Sequence, residues 1–199
     1  MKIQTINSKT NFGKIPVLKC KVQESETGKQ CKATLYKMEP SKPEDAREIK
    51  YSKNARCIYY DFMIDAGKHI SDKDYYVLSN DRTKEVISCA QTSRHFRPAN
   101  AEFSGLTTFI EEISENPKYE KGSLPLLAHI ALNTYDTSDE TVTASGYATA
   151  IDSLTDSCFI QTKTGDWVLP KDAYKPLVKQ VMCNSSLEYI DETNLNAVG

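Results

Sequence analysis

Few side chains in this sequence stand where types and spacing suggest chemistry. Its three histidines, His69, His95 and His129, are the candidate imidazole bases, and none lies in a recognisable nucleophile–base motif. His129 falls between Leu126 and Leu132 in an apolar run and reads as a packed helix residue. His69 follows Gly67 and Lys68, and His95 sits in Arg94-His95-Phe96-Arg97, a basic stretch that reads as a solvated loop able at most to meet a phosphate. The six cysteines are irregularly spaced with no C-x-x-C pair, which argues against a zinc or dithiol site. Cys89 and Cys158 lie in apolar runs and read as small buried hydrophobes; either with a histidine would make a thiol hydrolase, for which no motif is present. P-loop, Rossmann, H-E-x-x-H and G-x-S-x-G signatures are all missing. What remains is the stretch 109–127, in which a β-rich run meets Asn116-Pro117, a polar loop containing Lys121-Gly122-Ser123, and an apolar helix beginning near Leu124. The unpaired amides at such a helix start can hold an anion.

The rest of the chain must position that stretch. Val17–Val22 and Ala33–Met38 read as a β-hairpin around a polar Gly-containing loop. Pro43 with two following acids marks a helix start, and a helix is expected to about Ser52. Ala55–Ile64 carries its apolar residues at helical spacing. Tyr75–Leu78 and Glu85–Ala90 form a second hairpin, Arg94–Gly105 is expected to be a loop, and Leu106–Ile113 a strand. After the helix from Leu124, the pattern predicts a strand at Thr141–Ala144 and a helix at Ala148–Leu154. Strands follow at Cys158–Gln161 and Trp167–Leu169, and a helix at Lys171–Val181. The fold class is therefore α/β, with a mixed, mostly antiparallel central sheet flanked by helices. Residues 1–16 read as a flexible leader, 17–183 as one domain and 184–199 as a polar tail.

With 25 Lys plus Arg against 27 Asp plus Glu in 199 residues, the net charge is −2, and bulk charge argues against nucleic-acid or membrane-surface partners. The first ten residues hold no apolar signal core, so free thiols in the cytoplasm are expected.

The segment resembles the GNAT superfamily of acyl-CoA-dependent N-acetyltransferases, in which a strand ending near a proline leads through a Tyr- and Gly-containing loop into a helix starting near Leu-Leu. Ile113 to Tyr119, then Lys121-Gly122-Ser123, then Leu126-Leu127 follow that course, and the order of elements is similar from about Ala33 to Lys171. The resemblance implies acyl transfer from acetyl-CoA, as co-substrate, to a small-molecule or peptide amine by direct attack on the thioester. It implies main-chain contacts to the cofactor from Ile113 and Glu115, and Lys121, Gly122 and Ser123 around the diphosphate. It further implies a carboxylate base, Glu111 or Glu112, which strict strand alternation would place on opposite faces, and Tyr147 as acid to the leaving thiolate. Glu120, Leu124 and Pro125 depart from the family's basic, small-residue loop, and Pro125 lacks an N–H. A GNAT-like binding module without catalysis is the alternative these departures leave open.

Overall fold

The computed structural model describes residues 14–68, 72–97, 105–137, 140–145, 151–184 and 188–189. Strands β1 (Lys14–Glu24) and β2 (Gln30–Met38) form the first hairpin, in antiparallel register from Lys14↔Met38 to Gln23↔Gln30. A 3₁₀ turn at Pro43–Ala46 then leads into helix α1 (Arg47–Tyr51), and after a second short turn helix α2 spans Arg56–Lys68. The second hairpin is β3 (Lys73–Asn80) with β4 (Val86–Arg97), and β4 pairs in turn with β5 (Gly105–Glu115). Two residues of the following loop, β6 (Tyr119–Glu120), pair back to β1. Helix α3 (Leu124–Thr137), strand β7 (Thr141–Ala144), helix α4 (Ile151–Asp156), strands β8 (Ile160–Gln161) and β9 (Trp167–Leu169), helix α5 (Tyr174–Asn184) and strand β10 (Glu188–Tyr189) complete the order.

The sheet runs β10-β1-β2-β3-β4-β5-β7-β9-β8, and among the described residues β5 with β7 is its parallel pair, joined by the crossover through α3. Two apolar layers hold it. On one face Leu18, Leu35, Leu78, Ile87, Ile110 and Ile113 pack under α3 and α5. On the other, Met38, Tyr75, Val77 and Cys89 pack under α1 and α2 through Ile49, Ile58 and Phe62. Alternation along each strand divides residues between the layers, as in Tyr75 and Val77 against Tyr76 and Leu78.

Three expectations change. Arg94–Arg97 is strand rather than loop, because β4 continues against Gly105–Thr108 of β5. The strand expected from Cys158 is confined to Ile160–Gln161, with Cys158 itself in left-handed backbone at φ 64°. Most consequential is β5, where the register passes from Ile110↔Thr92 to Glu112↔Gln91, leaving Glu111 as the extra residue of a β-bulge. In addition, β1 starts at Lys14 and Glu188–Tyr189 pairs with Leu18–Lys19, so ordered strand extends into both segments expected to be polar extensions.

Candidate active site

The site forms where β5 outruns β7. Their parallel pairing covers Thr107↔Thr141 to Ile110↔Ala144, and the Ser145 amide still reaches the Ile110 carbonyl. β5 then continues through Glu115, five residues past its last described pair with β7. The Asn116 amide donates across to the Ile87 carbonyl on the β4 side. Alternation therefore turns the main chain of Glu115 and Ile113 toward the β7 side of β5.

At the closed end of the loop lies the start of α3. The Glu115 carboxylate accepts from the Gly122 amide at 3.2 Å and the Ser123 amide at 3.1 Å, and also from the Ser153 hydroxyl of α4. A carboxylate held by two main-chain donors at the positive end of a 14-residue helix is a charged cap, and it marks this helix mouth as an anion cradle. Beside it the Ser123 hydroxyl is fully buried and has no hydrogen-bond partner. Lys121, in left-handed backbone at φ 50°, extends to Asp156 at 3.3 Å. Gly122 is fixed by packing: a Cβ there would stand 2.8 Å from Ile87 Cγ2, and its carbonyl accepts from Ser88. The outer side of the loop borders a cleft of about 340 Å³ lined by Lys21, Gln23, Glu120, Lys121 and Pro125.

The two candidate bases occupy one face of the sheet, not two. The bulge inserts Glu111 without breaking the phase of its neighbours, so Ile110 and Ile113 both enter the α3 layer while Glu111 and Glu112 both face α2. Their surroundings differ sharply. Glu111 accepts from Lys73 at 2.8 Å, Gln91 at 2.5 Å and Ser93 at 2.5 Å, and His95 lies 3.5 Å away. Burial pushes its pKa up, but the Lys73 and Ser93 hydrogen bonds and the Lys73 charge outweigh that and hold it below the ordinary carboxylate value. Glu112 has no hydrogen-bond or ion-pair partner among the described residues; burial, and next the nearby Asp61 charge, raise its pKa. Asp61 and Asp65 come from α2, and buried Asp65 accepts from the Tyr75 hydroxyl at 2.8 Å.

The remaining candidates separate from this site. His129 packs edge-on to Tyr76 in the α3 layer, and burial lowers its pKa to about 4. Cys89 is buried and burial raises its thiol pKa, which opposes a thiolate role; Cys158 is exposed. Tyr147 and His69 lie outside the described residues. Sequence reasoning missed the Glu115 side chain and the partners of Glu111. One signal for the bulge was present, since Ile110 and Ile113 are three residues apart in a strand whose apolar period should be two.

No protein-family model matches the sequence, and no curated protein matches it. Solved structures do resemble the fold. One, solved as the KacTA–DNA complex, has a TM-score of 0.52 at 11% identity, covering 74% of this chain and 99% of that one. A point mutant of the AtaT toxin, bound to the C-terminus of the antitoxin AtaR, gives 0.53 at 11% identity, over 74% of this chain and 98% of that one. A further bacterial toxin gives 0.50 at 13% identity, over 83% and 97%. The fold is accordingly GNAT-like, a mixed, mostly antiparallel sheet flanked by helices. The expectation of no nucleic-acid partner gains no support here, since one of these neighbours was solved with DNA. Among the described residues, no helix is long and apolar enough to cross a membrane.

Proposed function

We propose that the chain is a cytoplasmic acyl-CoA-dependent N-acyltransferase that acts on a small-molecule or peptide amine. The observation that carries this reading is the mouth of α3, where two main-chain amides hold a carboxylate just beyond the end of the β5–β7 pairing. The cradle fits a diphosphate once the Glu115 side chain swings aside: two amides already converge on one anionic group, and the Ser123 hydroxyl beside them lacks a partner. Gly122, Ser123 and Lys121 would then hold the diphosphate, and the main chain of Ile113 and Glu115 would border the acyl arm. Acetyl-CoA, when bound, supplies the thioester carbonyl that an amine attacks.

Glu112 is the better base of the two glutamates. Its raised pKa and lack of hydrogen-bond donors suit it to accept the proton an attacking amine must lose, whereas Glu111 is already committed to Lys73, Gln91 and Ser93. Lys73 keeps Glu111 ionised. Tyr147 is proposed as the acid on the family resemblance alone.

Occupation of the cradle by Glu115 favours a second reading, a GNAT-like binding module in which the carboxylate permanently replaces the ligand. Calorimetric titration of acetyl-CoA into the wild type and Glu115→Ala, with release of free thiol measured over a panel of amines, separates the two. Saturable binding strengthened in the variant supports the transferase. No binding to either protein leaves the module.

A further inference from the structure

Large apolar side chains that stay exposed gather on one face of α2. Ile58 and Phe62 of this helix pack into the layer against the sheet, and Asp65 and Ala66 are buried beside them. The opposite face shows Tyr60 at 65% exposure, Ile64 at 55% and Met63 at 38%, with the exposed Cys57 in line before them. Spacings of three and four residues join these side chains into one strip along the helix. Single exposed hydrophobic residues are ordinary, whereas a contiguous strip marks a contact surface. Its charges are of one sign. Arg56 at the start of α2, Lys68 at its end and Lys53 one turn earlier are exposed, while Asp61 is half-buried and Asp65 is buried. Tyr51, at the end of α1, is 80% exposed and has the Lys50 ammonium 5.7 Å from its ring.

We infer that this face of α2 docks an acidic amphipathic helix of another protein, whose apolar side chains cover Tyr60, Met63 and Ile64 and whose carboxylates meet Lys53, Arg56 and Lys68. A strip of apolar side chains bounded by cations at both ends is complementary to that chemistry. A second copy of the chain is not. Antiparallel pairing centred on the strip would set Tyr60 against Ile64 but also Arg56 against Lys68 at both ends, and parallel pairing would set each cation against its own copy. An anionic lipid surface is the poorer match as well. Helices that lie on bilayers present Trp, Phe or Leu to the lipid and a Lys- and Arg-rich face to water, whereas the face of α2 opposite the strip is packed in the core. Tyr, Met and Arg are the side chains enriched where proteins meet. The surface stands independently of the transferase reading.

The test uses the full chain and a synthetic peptide of about four helical turns, with Leu along one face and Glu elsewhere. Calorimetry should show saturable binding in the micromolar range. Arg56→Glu, Tyr60→Ser and Ile64→Ser should each weaken it at least about tenfold, and about 0.5 M NaCl should weaken it in the wild type. These positions are exposed, so the variants should melt with the wild type. Ile160→Ser, at a 54% exposed apolar position on β8, should bind as the wild type does. Bound peptide should also protect the Cys57 thiol from alkylation in a Cys158→Ser background. Absence of saturable binding, equal binding of the same peptide with Lys in place of Glu, or undiminished binding by the three variants would overturn the inference. So would adsorption to phosphatidylserine vesicles, or dimerisation of the free chain, that the same substitutions abolish, because the strip would then belong to lipid or to a second copy.

Discussion

Replacing Glu115 with alanine tests whether the mouth of α3 is a working anion site. The carboxylate holds two amides, at 3.2 and 3.1 Å, and the Ser153 hydroxyl. Loss of a helix-capping side chain costs about 0.5–2 kcal/mol, and loss of a negative charge near the N-terminus adds about 0.3–1 kcal/mol. Together these suggest a loss of about 1–3 kcal/mol, or a fall in Tm of about 2–12 °C for a chain of this length. Inorganic pyrophosphate should then act unequally. In Glu115→Ala it meets vacant donors, and at about a hundred times its Kd it should restore about 2.7 kcal/mol. In the wild type it must first displace the carboxylate, so its shift should be clearly smaller. Thermal unfolding of both proteins with and without pyrophosphate reads this directly. A variant that melts with the wild type, or an equal pyrophosphate shift in both, would refute the reasoning.

Other outcomes follow from the same geometry. The Glu112 pKa is raised on folding, so its contribution to stability is full below the unfolded carboxylate pKa and is lost as pH rises through the folded value. Glu112→Gln should therefore gain stability at pH 8, by less than about 1 kcal/mol for this half-buried group, and show no gain at pH 4 in urea unfolding. Gly122→Ala should cost about 1–3 kcal/mol by forcing a Cβ against Ile87 Cγ2, and Gly122→Ala with Ile87→Ala should cost less than the two single losses summed. The imidazole of His129 should titrate by NMR with a midpoint of about 4. Because that pKa is depressed, stability linked to His129 is present above about pH 6.5 and is lost as pH falls through the folded value.

The periodic elements were legible in the residues. The hairpins, the two helices before β3, the strand at Thr141 and the apolar helix from Leu124 all follow from local spacing and turn chemistry. Arg94–Arg97 was not, because its polar residues give no apolar alternation and its strand character comes from pairing with β5, a contact made across the chain. At the site, sequence pattern located the loop and both glutamates but misplaced one of them, since alternation cannot foresee a one-residue bulge. The Glu115 cap was hidden for a different reason. It stands nine residues before Leu124, far outside the local offsets of a capping residue, and reaches the helix only because the loop folds back.

The bulge in β5 also bears on how such a strand could arise or be shortened. Because Glu111 is the unpaired extra residue, removing its codon would leave Ile110, Glu112, Ile113, Ser114 and Glu115 facing the layers they face now. The helix mouth and the apolar layer would survive while the sheet face under α2 lost one acid. A single in-frame insertion at this point could therefore have given an ancestral strand its second glutamate without rewriting any neighbouring position.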